Sequence, residues 1–187
     1  MLKEKLSKYD VILASQSPRR IKFFNDLKIK FKSIKIDVDE SYSNKLKAVE
    51  ITDFLAEKKA SFYSDLIKKN TIVITSDTIV WIKNKALGKP KNNKNAKEIL
   101  RTLSDSTHEV ITSFCIKTID KKIIVNDTTK VSFKKLTDQE IDYYVDNNNV
   151  LDKAGAYGIQ DWIGYIGITR IEGTYNNVMG LPTHLLY

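Results

Sequence analysis

The run TIVITSDTIVWI, at positions 71–82, constrains the fold of this chain more than any other segment. Its β-branched and aromatic residues favour a strand, but Ser76, Asp77 and Thr78 interrupt it at the centre. A carboxylate among aliphatic side chains is costly to bury unless it is paired, capped or bound to a metal. Two interpretations stay open: a buried strand that carries a functional acid, or a turn between two strands with Asp77 and Thr78 at its tip.

The first forty residues also alternate between strand and helix patterns. The apolar run over 9–14 predicts a short buried strand, after which Ser17 and Pro18 mark the start of a helix. A second strand is predicted over 31–38 by alternating apolar residues, namely Phe31, Ile34, Ile36 and Val38. Acids gather at the C-terminal end of that strand: Asp37, Asp39 and Glu40.

The remaining patterns complete an α/β order. A helix is predicted over 47–69, with one face formed by Ile51, Leu55, Phe62 and Leu66. The later elements are a hairpin around Asn84, a helix over 93–103, strands over 109–119 and 123–134, and a helix from Thr137 to Val145 that opens with the capping box of Thr137 and Glu140. The order predicts one α/β domain spanning 1–187, with a mixed sheet.

Charge narrows the class of partner. The chain has 31 Lys and Arg residues against 23 Asp and Glu, a formal charge of +8, which favours a polyanion such as a nucleotide, a nucleic acid or a membrane surface. No apolar run approaches the roughly 20 residues of a membrane span, and the N-terminus lacks the apolar core of a secretory signal. We therefore expect a cytoplasmic protein without a membrane partner. The single Cys115 has no disulfide partner and no metal-ligand spacing around it.

The segment SQSPRR, at 15–20, is a candidate anion site. Ser15, a helix start and the guanidinium groups of Arg19 and Arg20 can converge on one phosphate chain. An ordinary capped helix with solvated arginines explains the same letters. The P-loop pattern GxxxxGK[ST] is absent, so a phosphate site in this segment would not be a P-loop.

Other candidate groups are scattered along the chain. Asp39 and Glu40, together with Asp77, offer the oxygen ligands that Mg²⁺ or Mn²⁺ prefers. Lys59 and Lys89 are candidate phosphate contacts, although single lysines in a basic chain are more often solvated.

The segment DKAGAYGIQ, at 152–160, combines glycines, an aromatic face and the amide of Gln160, which suits base recognition or simply a tight loop. His108 and His184 lie in no catalytic pattern, and we interpret them as structural.

Seven motifs, in this order and spacing, resemble the Maf family of nucleotide pyrophosphatases. They run from Ser15 to Pro182: SQSPRR, VDES, ITSDT, LGKP, LSDSTHEVIT, LDKAGAYGIQ and EGTYNNVMGLP. The resemblance implies an elongated α/β fold with a central mixed sheet flanked by helices and a cleft between two lobes, similar to the inosine triphosphatases. It implies hydrolysis of a nucleoside triphosphate to the monophosphate and pyrophosphate, a divalent metal (Mg²⁺ or Mn²⁺) and a homodimer.

The resemblance also assigns roles to residues. The proton acceptor falls on Asp77, and the positions linked to substrate choice fall on Arg19, Thr78 and Gln160. The phosphate and metal positions that match are Ser15, Arg19, Arg20, Glu40, Lys59 and Lys89, with Asp77 as a second metal ligand. The ending AYGIQ is similar to the branch that hydrolyses dTTP and UTP, not the branch for 7-methylguanosine triphosphate.

Departures and rival functions remain. Asn92 stands where the family commonly has an acid, and Asp105 with Ser106 replaces a usual glycine. The alternatives are a 7-methylguanosine triphosphate pyrophosphatase of the same family, or a non-catalytic regulator that binds nucleotide or nucleic acid. The sequence does not favour nucleic acid, because it contains neither an RNP-like nor a helix-turn-helix pattern.

Overall fold

The computed structural model describes residues 1–35 and 37–187, and it contains a seven-stranded mixed sheet. The strands are β1 (Asp10–Leu13), β2 (Lys32–Ser33), β3 (Thr71–Ile82), β4 (Lys85–Leu87), β5 (Thr107–Lys117), β6 (Lys122–Phe133) and β7 (Ile168–Glu172). Their order is β2-β1-β3-β5-β6-β7, with β4 added to β3. Strand β1 is parallel to both β2 and β3, whereas β3–β4 and β6–β7 are antiparallel. The predicted mixed sheet is confirmed.

Helices flank this sheet, as the sequence predicts. The α-helices are α1 (Leu2–Leu6), α2 (Pro18–Asp26), α3 (Val49–Phe62), α4 (Asn93–Leu103), α5 (Asp138–Asn147), α6 (Trp162–Gly167), α7 (Tyr175–Val178) and α8 (Thr183–Leu186). Short 3-10 helices cover Ser64–Leu66 and Ala154–Ala156. The capping box of α5 is confirmed, since the Thr137 hydroxyl accepts from the Glu140 N–H at 3.2 Å and the Glu140 carboxylate accepts from the Thr137 N–H at 2.8 Å.

Strand β3 decides between the two interpretations of the run at 71–82. It is one continuous strand, and Asp77 lies near its middle, so the interpretation of a turn at Asp77 and Thr78 is wrong. The turn occurs later, at Lys83 and Asn84, whose positive φ values of 48° and 60° are those of a two-residue hairpin. The buried β-branched residues before and after Asp77 in the chain favour the strand more strongly than the polar side chain of Asp77 disfavours it.

Two other predicted elements are shorter than expected. The strand over 31–38 is reduced to Lys32–Ser33, and Ile36 lies outside the described residues. The helix over 47–69 ends at Phe62, and Phe62 and Leu66 are 62% and 56% exposed, so they do not share the buried face of Ile51 and Leu55. Instead Tyr63 is buried, and its hydroxyl donates to the Lys35 carbonyl at 2.7 Å, which anchors the chain where the helix stops.

The chain forms two compact units, each with its own apolar core. Unit 1 comprises Met1–Asp77, Thr112–Asp127 and Gly180–Tyr187, and Leu13, Phe24 and Phe114 are central to its core. Unit 2 comprises Thr78–Ile111 and Thr128–Met179, and its core includes Leu100 and Ile163. One domain over 1–187, its elongated shape and its cleft stay predictions. No helix among residues 1–35 and 37–187 is long and apolar enough to cross a membrane.

Candidate functional site

A buried charge cluster in unit 1 surrounds Asp77. Helix α3 directs Lys59 toward β3, so that its Nζ lies 2.5 Å from Asp77 Oδ1 and 2.7 Å from Glu40 Oε1. Asp77 and Lys59 are only 8% and 7% exposed, whereas Glu40 is exposed. A buried ion pair of this kind is weak evidence for stability, because desolvation offsets much of the attraction. Three residues named from the sequence thus lie together, and the buried pair among them, Asp77 and Lys59, gains little stability from its ion pair.

Burial also adjusts the acidity of Asp77. Loss of solvent raises the pKa of this carboxyl, and the nearby charge of Glu40 raises it further, while Lys59 and Arg20 oppose the rise. A carboxylate with a raised pKa is a better proton acceptor near neutral pH than a solvated one. Asp77 therefore has the environment that general-base chemistry requires.

Arg20 joins two distant segments beside Asp77. Its Nε donates to the Gly180 carbonyl and its Nη1 to the Ser76 carbonyl, both at 2.8 Å, and the Ser76 hydroxyl also donates to Gly180 O at 3.2 Å. Burial lowers the pKa of Arg20 to about 10, so the guanidinium stays charged at neutral pH. Gly180 adopts φ 104°, a conformation that a residue with a side chain rarely takes. Arg20 thereby holds the backbone next to Asp77.

Ser15 and Arg19 belong to the same strand–turn–helix segment. Ser15 is buried, and its hydroxyl accepts from the Ser17 N–H at 3.2 Å, while its carbonyl accepts from Ser33 Oγ at 2.8 Å. Ser17 is the N-cap of α2 as predicted, although its side chain makes no capping bond in the described structure. Arg19 is in the first turn of α2, directly before Arg20. The Ser15 hydroxyl thus fixes the turn before α2, and a helix N-terminus of this kind favours an anion.

The carboxylate oxygens near Lys59 show whether a divalent cation could be held there. Glu40 and Asp77 already converge on one cation, the Lys59 ammonium. Mg²⁺ typically takes one or two carboxylates and completes its shell with phosphate oxygens and water, so this pair fits it. Asp39, the other expected acid, instead accepts from the Ser41 N–H and lies 3.4 Å from Lys58 Nζ. Among the described residues, no cluster of three or more His, Cys, Asp and Glu side chains is arranged to hold a metal.

Unit 2 contains the other candidates. Thr78 follows Asp77 in β3, so the two side chains point to opposite faces of the strand. Lys89 is exposed and directly follows Gly88, whose carbonyl accepts from the Gly155 N–H at 3.1 Å. Gly155 adopts φ 70°, and a Cβ there would lie 2.6 Å from the Val80 side chain. The LGKP and LDKAGAYGIQ motifs are therefore hydrogen-bonded neighbours that favour a glycine at position 155.

Gln160 presents an unsatisfied acceptor. Its Oε1 is buried and has no hydrogen-bond partner among the residues that the structure describes. A buried polar atom without a partner costs free energy, and native proteins keep few of them. The amide can both accept and donate, so Gln160 is suited to a ligand that offers a complementary edge.

The histidines have structural surroundings. His108 lies in β5, is buried, and its Nε2 is 2.8 Å from the Tyr157 hydroxyl. Burial lowers the pKa of His108 to about 4, so the ring is neutral near pH 7. His184 in α8 lies 3.9 Å from Asp127. These contacts support the structural interpretation of both residues.

Comparison of the sequence with known protein families identifies the family of this chain. The family model described as Maf-like protein matches residues 10–187. The chain belongs to the Maf family. The resemblance inferred from the ordered motifs is confirmed, and the charge cluster of Asp77, Lys59 and Glu40 is accordingly that of a Maf protein.

Two similar proteins match this Maf chain over its full length. The dTTP/UTP pyrophosphatase of Flavobacterium johnsoniae is 56% identical over 187 residues, which are 100% of this chain and 96% of that protein. The dTTP/UTP pyrophosphatase of Christiangramia forsetii is 51% identical over 100% of this chain and 95% of that protein. Among solved structures, the Staphylococcus aureus Ham1 protein is similar over 66% of this chain and 71% of that chain, with 15% identity and a TM-score of 0.49.

Proposed function

We propose that this Maf protein hydrolyses dTTP or UTP between the α and β phosphates, giving the nucleoside monophosphate and pyrophosphate. The observation that carries the proposal is the buried pair of Asp77 and Lys59, which the exposed Glu40 also contacts, and in which a carboxylate of raised pKa lies against a lysine. Relatives named dTTP/UTP pyrophosphatases, matched over the full length, support the same activity. The protein is thus proposed to be a hydrolase of nucleotide metabolism.

Asp77 acts on the attacking water. Its carboxylate accepts a proton while the water oxygen bonds to the α phosphorus, and the bond from that phosphorus to the bridging oxygen breaks, so pyrophosphate leaves. Lys59, Ser15, Arg19, Arg20 and Lys89 are the proposed phosphate contacts. The Arg20 side chain also donates to the Ser76 carbonyl at 2.8 Å, which holds the backbone next to Asp77 in place.

Glu40 and Asp77 are the proposed ligands of Mg²⁺ or Mn²⁺. When bound there, the cation would draw charge from the phosphate oxygens and lower the pKa of a coordinated water. Lys59 supplies the counter-charge to these carboxylates in the structure described, at 2.5 and 2.7 Å.

Base choice is assigned to Gln160. Its unpartnered Oε1 can accept the imide N–H of uracil or thymine, while its amide nitrogen can donate to a ring carbonyl. Arg19 and Thr78 are proposed to set the position of the sugar and phosphates. The proposal also includes a cytoplasmic location and a homodimer, both implied by the family resemblance, and light scattering on the purified protein measures the second.

Product analysis tests the proposal. Purified protein with Mg²⁺ or Mn²⁺ should convert dTTP or UTP to the monophosphate and pyrophosphate, and a chelator should stop turnover. Diphosphate and orthophosphate as products would overturn the reaction type. Preference for 7-methylguanosine triphosphate would overturn the base assignment alone. Binding without turnover would favour a regulator over an enzyme.

A further inference from the structure

We propose that Tyr144 is a positioning residue for pyrimidine recognition, since its phenol clamps the turn that presents Gln160. This inference rests on the proposed role of Gln160 in reading the base. Tyr144 lies in α5, outside the motifs from which the site was inferred, and its side chain is fully buried. Its contacts explain why a buried phenol lies beside that segment.

Residues 158–161 form a tight turn with Gln160 at its second corner. The Asp161 N–H donates to the Gly158 carbonyl at 3.0 Å, which closes the turn around Ile159 and Gln160. A Cβ on Gly158 would lie 2.5 Å from Asp161 Oδ2, so a side chain at this position would displace the Asp161 carboxylate. The direction of Gln160 therefore depends on how the two ends of this turn are held.

The Tyr144 hydroxyl holds both ends. It accepts from the Gly158 N–H at 3.1 Å and donates to Asp161 Oδ2 at 2.7 Å. One oxygen atom thus bonds the first residue of the turn through its backbone and the last through its side chain. Burial and the neighbouring Asp161 raise the pKa of Tyr144, so the phenol stays protonated and can donate.

Lys153 supports the same carboxylate from the other side. Its Nζ lies 3.7 Å from Asp161 Oδ2 and 3.0 Å from Asp152 Oδ1, and the lysine is buried. Without the phenol, the Gly158 N–H would lose its acceptor, while Asp161 would keep the longer contact with Lys153. The turn would stay folded but would be free to change direction, which is the expected behaviour of a positioning contact and not of a core packing residue.

Tyr143 offers a matched control on the same helix. It is 54% exposed, and its ring contacts Trp162 edge-on with centroids 4.9 Å apart. Tyr143→Phe and Tyr144→Phe each remove one hydroxyl and keep the ring, but only the second removes a contact with the turn.

The experiment measures kcat and KM for UTP and for a purine triphosphate, GTP. Tyr144→Phe should lower kcat/KM for UTP about tenfold, as expected for one buried hydrogen-bonding group, with a much smaller loss for GTP. Tyr143→Phe should match the unmodified protein. In Tyr144→Phe/Gln160→Ala the selective loss should be no larger than in Gln160→Ala alone, because both changes remove the same recognition.

The outcomes separate this inference from the proposed function. Equal losses for UTP and GTP in Tyr144→Phe, or selective losses that multiply in the double variant, would overturn the role of Tyr144. Equal losses in Gln160→Ala would overturn base reading by Gln160 and the inference with it. If Tyr144→Phe fails to fold, Gly158→Ala crowds the same turn and should show the same selective loss, and a non-selective result there would again overturn the inference.

Discussion

The charge cluster around Asp77 and the turn that carries Gln160 use opposite physical means. The first buries ionised groups, with Lys59 Nζ 2.5 Å from Asp77 and Arg20 bonded to the Ser76 carbonyl. The second is held by the phenol of Tyr144, which bonds the Gly158 N–H and the Asp161 carboxylate, and it leaves one amide oxygen without a partner among the described residues. Charge in a low-dielectric surrounding acts strongly on phosphates, whereas an unpaired acceptor discriminates between bases. The comparison predicts that changes in the first region affect all nucleotides, and those in the second affect only some.

Asp77→Asn tests the charged region and should have the largest effect. We expect kcat to fall at least ~10²-fold for every nucleotide, because a general base or metal ligand is lost. A carboxyl whose pKa is raised on folding contributes stability at low pH that is lost as pH rises, so at pH 7 the change should not lower the free energy of unfolding. Steady-state kinetics and urea unfolding measure both quantities.

Asp26→Asn, which alters an exposed carboxylate paired with Lys22, is the control. Near-normal turnover in Asp77→Asn would remove Asp77 from the chemistry, and severe unfolding would make it a structural residue.

Gln160→Ala tests the turn that carries Gln160. Loss of a group that pairs with a buried base should cost roughly 1–3 kcal/mol, or about ten- to a hundredfold in kcat/KM for dTTP and UTP. Purine triphosphates should lose less, since phosphate contacts are common to all nucleotides. Competition kinetics with mixed substrates measure the ratio, and an unchanged ratio would mean that Gln160 only supports its turn.

Arg20→Lys tests whether Arg20 acts by holding the backbone beside Asp77 or by contacting phosphate. Lysine keeps the charge but lacks the fork that bonds the Ser76 and Gly180 carbonyls together. We expect kcat to fall about tenfold with a smaller change in KM, as for a residue that holds the Asp77 backbone. A rise in KM with unchanged kcat would instead show a phosphate contact only. Initial-rate measurements over a range of UTP concentrations separate the two.

His108→Phe should have the smallest effect on turnover. Its effect should be seen in the free energy of unfolding. The His108 pKa is about 4 when folded and near 6.5 when unfolded, so its contribution is present above pH 6.5 and is lost as pH falls toward 4. The unmodified protein should therefore lose about 3 kcal/mol more unfolding free energy than the variant between pH 7 and pH 4. Urea unfolding at the two pH values checks this, and parallel curves would contradict it.

Local patterns predicted much of the fold because their causes are local. Helix α4 begins and ends where periodicity indicated, at Asn93 and Leu103, and Asn92 caps it by accepting from the Asn95 N–H. The capping box of Thr137 predicted the start of α5 for the same reason. Asp105, where the family resemblance implies a glycine, adopts φ 53°, a left-handed conformation that has some conformational cost for a residue with a side chain.

Other features depend on contacts that no local pattern contains. Arg20 and Gly180 are 160 positions apart, and neither segment indicates that the guanidinium bonds that carbonyl. Tyr144 reads as one more apolar residue of an amphipathic helix, although its hydroxyl holds the Gly158 turn. Asp77 was located in sequence, but its strand conformation follows from buried neighbours on both sides. Family motifs predicted which residues form the site, and the tertiary structure shows how those residues are held.

Lys59 has a consequence for how the protein is made and kept. Its ammonium lies 2.5 Å from Asp77 and 2.7 Å from Glu40, so the chain itself supplies a cation that offsets part of their negative charge. We therefore expect folding to be separable from metal binding, unlike in small metalloproteins whose folding free energy comes from the ion. The thermal midpoint of the nucleotide-free protein should accordingly change little when Mg²⁺ is removed, and newly synthesised chains should mature independently of the local metal supply.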